Sequence, residues 1–209
     1  LGDAGTTREI MALGDLEGDG VPDAVFWSEL EQALRVLPMN PESLIKRAPG
    51  VVVVEQSADQ VMSGDLDGDG FGDVVGVHSE GGMRILLGDG KGGFRRTLDV
   101  SLPSMGPSGL AVGDLDGDGR AEAVAVGTSR LAVVSITSLG GPLITSQALP
   151  LTSYSVAIAS NPDATGDGIP DLFITDENQT VYLMAGDAKL GFEKLWESKH
   201  DGNGAGVRA

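Results

Sequence analysis

Gly64-Asp65-Leu66-Asp67-Gly68-Asp69-Gly70-Phe71-Gly72-Asp73 sets an acid at every second position, then a glycine turn, then one more acid. The pattern recurs at Gly14-Asp15-Leu16-Glu17-Gly18-Asp19-Gly20 and at Gly113-Asp114-Leu115-Asp116-Gly117-Asp118-Gly119. A fourth, altered copy reads Asp163-Ala164-Thr165-Gly166-Asp167-Gly168. The leading aspartates Asp15, Asp65, Asp114 and Asp163 are 50, 49 and 49 residues apart, a period that chance does not produce.

Around each copy stand four apolar runs. One precedes the loop, at Ile10 to Leu13, Gln60 to Met62, Leu110 to Val112 and Val156 to Ala159. One follows it, at Ala24 to Trp27, Val74 to Val77, Ala123 to Val126 and Leu172 to Thr175. The third covers Leu34 to Leu37, Met83 to Leu87, Leu131 to Ile136 and Val181 to Met184, and the fourth begins near Leu44, Phe94, Leu143 and Phe192. Short runs rich in β-branched residues and bounded by Gly, Pro, Ser or Asp are strands, and no stretch keeps a helical period. A β-sandwich would explain the strands but not the fixed spacing. Four strands per repeat of this length predict an all-β chain of propeller blades, with repeats at 1–50, 51–99, 100–148 and 149–197.

Numbered from the leading Asp, each loop carries side-chain oxygens at positions 1, 3 and 5, glycine at 6, and an acid at 9. Calcium takes six to eight oxygen ligands in a flexible shell, whereas magnesium demands a tighter octahedron and keeps more water. The expected ligands are Asp15, Glu17, Asp19, Asp23 in repeat 1 and Asp65, Asp67, Asp69, Asp73 in repeat 2. In repeat 3 they are Asp114, Asp116, Asp118, Glu122, and in repeat 4 Asp163, Thr165, Asp167, Asp171. Position 7 (Val21, Phe71, Arg120, Ile169) offers a backbone carbonyl. An EF-hand would need a bidentate Glu at position 12, where this chain has Phe26, Gly76, Ala125 and Ile174 inside strands. Thr165 removes one charge, and Pro162 replaces the preceding Gly, so repeat 2 should bind most tightly and repeat 4 least. The competing reading is a metal-free Asp-Gly turn held by side-chain-to-backbone hydrogen bonds, which leaves several carboxylates repelling one another.

The run Gly-Asp-Leu-Asp-Gly-Asp-Gly-x-x-Asp followed by a Val-rich strand resembles the FG-GAP and VCBS-type repeats of integrin α-subunit heads and bacterial exported proteins. Leu86-Leu87-Gly88-Asp89-Gly90-Lys91-Gly92-Gly93-Phe94 resembles that family's second turn. The resemblance implies a propeller, commonly of about seven blades, with calcium in the loop after each blade's first strand. On that footing the chain is expected to be part of a larger ring. Residues 198–209 then read as the first strand of a fifth repeat, with other blades or a neighbouring chain completing the propeller.

Charge narrows function further. A formal net charge of −17 repels nucleic acid, while 41% apolar residues argue against a disordered acidic tail. No cysteine is present, and no apolar run is long enough to span a membrane as a helix. Calcium sites of extracellular type work at about 10⁻⁴ to 10⁻³ M, so a secreted or cell-surface location is expected. His78 and His200 are the only histidines and lie in different repeats; neither a Gly-x-Ser-x-Gly elbow nor a phosphate loop occurs. Asn178-Gln179-Thr180 matches a glycosylation sequon, a motif short enough to arise by chance. The expected role is therefore a non-catalytic, adhesion-type scaffold binding a protein or glycan. Alternatives are a structural subunit of a surface filament or layer, and part of a polysaccharide-processing enzyme. The turns opposite the metal loops, Ser28 to Gln32, His78 to Gly82, Gly127 to Arg130 and Asp176 to Thr180, are the candidate recognition surface.

Overall fold

The computed structural model describes residues 11–28, 33–39, 50–52, 58–78, 80–102, 105–158, 163–176, 178 and 180–198. Ile10, Leu44, Ala159, Pro162, His200, parts of the expected turns at 28–32, 78–82 and 176–180, and the proposed fifth-repeat strand beyond Ser198 fall outside them. Every regular element among the described residues is a β-strand, and all pairings are antiparallel. No helix in them is long and apolar enough to cross a membrane.

The first blade is β1 (Met11–Gly14), β2 (Asp23–Ser28), β3 (Ala33–Leu37) and β4 (Gly50–Val52), hydrogen-bonded in sequence order. The second repeats it with β5 (Gln60–Gly64), β6 (Asp73–His78), β7 (Gly82–Gly88) and β8 (Phe94–Ser101). In both blades the loop acid at position 9 opens the second strand, so Gly14 pairs with Asp23 and Gly64 with Asp73.

The remaining strands form one six-stranded sheet: β9 (Pro107–Gly113), β10 (Glu122–Ile136), β11 (Pro142–Ile158), β12 (Leu172–Asp176), β13 (Val181–Gly186) and β14 (Phe192–Ser198). Its register resolves it into two blades. Residues 122–127 of β10 pair with β9, and residues 128–136 pair with β11. Ser129 between them has φ 55°. Side chains on a straight strand keep one parity per face, yet Val124 and Val126 share a core with Leu131 and Val133. The chain thus reverses face at Ser129, and β10 supplies both middle strands of the third blade. β11 likewise closes the third blade with residues 142–148 and opens the fourth with residues 153–158, which pair with β12.

The core lies between blades. Val25, Leu34 and Val36 of blade 1 meet Val61, Val74 and Leu86 of blade 2. On blade 2's other face Val75, Met83 and Ile85 meet Ala123, Ala125, Ala132 and Val134. Large side chains on one blade face alanines on the next, which lets the sheets approach closely. Each fully buried Val, Leu or Ile contributes roughly 1.5–3 kcal/mol. Polar stitches run alongside: the Gln60 amide donates to the Ser108 carbonyl at 2.8 Å, and the Gln147 amide both donates to and accepts from the Phe192 backbone (2.7 and 3.0 Å).

Candidate metal centres

All four acidic loops share one backbone path. Glycines at positions 4 and 6 have positive φ in every copy: Gly18 and Gly20 (70° and 82°), Gly68 and Gly70 (76° and 87°), Gly117 and Gly119 (77° and 87°), Gly166 and Gly168 (83° and 87°). Two left-handed residues one apart curl the chain so that successive N–H groups point inward. The position 1 carboxylate collects them. Asp65 accepts from Gly68 (2.7 Å), Asp69 (3.1 Å) and Gly70 (2.8 Å), and Asp15 and Asp163 each accept from the same three positions. Asp114 accepts from Gly117 and Gly119. Those N–H groups, that of Gly168 foremost, hold the Asp163 carboxyl below its ordinary pKa. Position 5 accepts the position 7 N–H in each loop, as Phe71 to Asp69 at 2.9 Å.

Two buried anchors fix the loop to its blade. Leu16, Leu66 and Leu115 at position 2 are 0–1% exposed and plug the loop into the core. The position 9 acid is equally buried and ties the loop to the sheet. Asp73 accepts from Leu66 N–H (2.8 Å) and from Gly88 N–H at the end of β7 (2.7 Å). Asp23 does the same with Leu16 and Met39, and Asp171 with Ala164, Thr165 and Gly186. Glu122 accepts from Leu115 at 2.8 Å. Burial raises the pKa of Asp73 to about 6 and that of Glu122 to about 7, with neighbouring loop carboxylates adding to the rise. Burial pushes Asp23 upward too.

Carboxylate oxygens converge in two loops. One oxygen each from Asp65, Asp67 and Asp73 lies within 4.8 Å of the others, and the same holds for Asp114, Asp116 and Glu122. These are positions 1, 3 and 9. The position 5 acids Asp69 and Asp118, the carboxylates of repeat 1 and those of repeat 4 are not in such a triad. In repeat 4 the Thr165 hydroxyl turns to Asp163 at 3.4 Å. In repeat 2, Arg95 on β8 reaches Asp69 at 2.5 Å through Nη1 and Asp67 Oδ2 through Nη2, a contact between strands that the loop sequence does not announce.

Whether these residues fit an ion is tested by Asp67. Its Oδ2 is engaged by Arg95, while its Oδ1 is buried and has no hydrogen-bond partner. A buried carboxylate oxygen left unpaired is costly, and a hard cation between Asp65, Asp67 and Asp73 would satisfy it. The donor set is oxygen only, which suits calcium.

Neighbouring loops are chained. Gly72 N–H donates to the Asp15 carbonyl and Ala121 N–H to the Asp65 carbonyl, both at 2.7 Å. Position 8 therefore links the second and third loops to the position 1 carbonyl of the loop before each. Proline occupies position 8 in repeat 4 (Pro170), so that bond cannot form from loop 4 to loop 3. Side chains follow the same path: the Phe71 ring covers Gly18, and Arg120 lies over Gly68.

Interblade cores and repeated loops define a β-propeller-type repeat protein. Residues 65–125, which span the second loop through the third, match the model of the FG-GAP-like repeat. The chain is similar to a lectin of Agrocybe aegerita solved for its recognition of non-reducing terminal N-acetylglucosamine, at 20% identity and TM-score 0.64. It is also similar to the periplasmic gluconolactonase of Pseudomonas aeruginosa, at 14% identity and TM-score 0.61. These alignments cover 90% and 91% of this chain but 51% and 54% of those proteins, so it spans about half their length. No curated protein matches the sequence.

Proposed function

We propose that this chain is a calcium-stiffened propeller scaffold, displayed outside the cell or secreted, that binds a protein or glycan and performs no catalysis. The observation that carries the metal reading is the convergence of Asp65, Asp67 and Asp73 around an unpartnered, buried carboxylate oxygen, with a second acidic triad in the next repeat. Asp65, Asp67 and Asp73 would hold one ion, and Asp114, Asp116 and Glu122 another. The ion supplies charge neutralisation: it joins carboxylates that otherwise repel, and it holds the loop against the blade. Loops 1 and 4 keep the same backbone and are the weaker candidates.

Ligand recognition falls to the opposite face. Gly127 to Arg130 there joins the second to the third strand of blade 3, and loops held on a rigid scaffold are common places for recognition. A cavity of about 350 Å³ opens beside this turn, between blades 2 and 3. Leu102, Met105, Ala132 and Ile144 give it apolar walls, and Arg130 with Ser101 and Ser146 gives it polar ones. The lectin likeness agrees with a glycan ligand, though at this identity it speaks for the fold alone. Calorimetric titration with calcium tests the metal reading: saturable binding is expected, and Asp67→Asn should weaken it at least tenfold. Titration without heat in the parent chain would remove it. A glycan array and a lactone hydrolysis assay test the remainder, and turnover of a lactone would overturn the non-catalytic assignment.

A further inference from the structure

Arg95 sets the second loop apart. The residues opposite one another at the start of the third-to-fourth hairpin are Gly88 and Phe94 in blade 2, Ile136 and Pro142 in blade 3, and Gly186 and Phe192 in blade 4. The next residue pairs regularly in blades 3 and 4, Leu143 with Ser135 and Glu193 with Ala185. In blade 2 the register jumps from Phe94 to Arg96, which faces Leu87, so Arg95 is the extra residue of a β-bulge. Bulges re-aim side chains, and here the guanidinium swings onto the acidic loop of its own blade. The fourth strand's start in blade 1 lies outside the described residues.

Its two nitrogens take Asp69 at position 5 and the outer oxygen of Asp67 at position 3. Asp67 Oδ1 keeps no hydrogen-bond partner, and Asp67 converges with the Asp65 and Asp73 carboxylates away from the guanidinium's own partners. Arg120 of the third loop lies over Gly68, which brings a second guanidinium to the same loop. We propose that Arg95 is a resident counter-ion of the second metal loop: it holds the loop folded without metal, occupies the outer oxygen of Asp67, and makes this site bind calcium more weakly than its four acids alone would dictate. A cation fixed within a few ångströms of the ion repels it directly, and it also keeps one ligand occupied. The matching strand residue in blade 3 is Leu143, which brings no cation to the third triad, and site 3 is then the first to fill. This inverts the order that counting acids implies.

The inference rests on the calcium reading above, and the experiment separates the two. Calcium is titrated by calorimetry into the chain carrying Asp116→Asn, which silences the third triad, with and without Arg95→Ala or Arg95→Lys. Thermal melting of each chain in chelator is recorded alongside. Arg95→Ala should bind calcium about two- to fivefold more tightly, the factor that an exposed ion pair is worth. Its metal-free melting temperature should fall by about 2–4 °C, and Arg95→Lys should sit between. Unchanged or weaker calcium affinity in Arg95→Ala, or an unchanged melt in chelator, overturns the counter-ion role while leaving the metal site in place. Absence of calcium binding in every chain removes both.

Discussion

Buried acids in the metal loops give the calcium-free chain an unusual response to pH. Asp73 titrates at about 6 in the fold against an ordinary 3.8, and Glu122 at about 7 against 4.5. Between pH 4 and 7 the folded chain therefore holds protons that the unfolded chain has released. Stability falls as pH rises whenever the native state binds more protons. The contribution is fully present below the ordinary carboxylate range and is lost by about pH 7. Each pKa unit corresponds to 1.36 kcal/mol, and partial screening at the loop mouth reduces the two shifts to about 1–2 kcal/mol each. Asp163, Asp176 and Asp187 are shifted downward, so their effect is confined to lower pH and does not interfere. Melting in chelator should thus drop by about 5–10 °C from pH 5 to pH 8, at about 2–4 °C per kcal/mol for a domain of this size. Calcium requires the deprotonated acids, so with calcium present the drop should shrink and calcium affinity should rise through pH 6–7. Calorimetric scans at five pH values measure this. A metal-free melting temperature that is flat or rises over this range would refute the placement of Asp73 and Glu122.

Three further variants test the packing. Leu66→Ala empties the plug under the second loop, where the side chain is 0% exposed, and should cost about 2–5 kcal/mol by chemical denaturation. Gly117→Ala meets no neighbouring atom but forces a left-handed φ of 77° on a side chain, so it should cost about 1 kcal/mol from the backbone alone. Gln147→Leu removes both hydrogen bonds to Phe192 that join blades 3 and 4, and should destabilise by about 1–3 kcal/mol.

Repetition made most of the fold legible. The period placed the loops, and β-branched runs located the first three strands of each blade within one to three residues. Position 6 glycine was read as a turn residue, and the structure adds position 4, whose φ is equally left-handed. Strand ends were less legible, because the position 9 acids Asp23, Asp73 and Glu122 begin the second strands of their blades and are buried there. Polarity alone argues for exposure; only the backbone donors at Leu66 and Gly88 explain why Asp73 lies inside. The turn at Ser129 falls within the expected Gly127 to Arg130, but the pairing that continues unbroken through it in β10 was not visible. Within the sites, the sequence pointed to the acids but not to their partners. Arg95 reaches its loop through a bulge 26 residues from Asp69, and Gly72 and Ala121 tie loops together across blades. Contacts of this kind depend on which strands become neighbours, and no local pattern encodes that.

Bound calcium as part of the fold is the central claim, and a pair of thermal melts at pH 7.5 tests it most directly. A ligand that binds only the native state adds about 2.7 kcal/mol at a hundred times its dissociation constant. The melting temperature in millimolar calcium should exceed that in excess chelator by several degrees, with magnesium giving less. Superimposable curves in calcium and chelator would contradict the account.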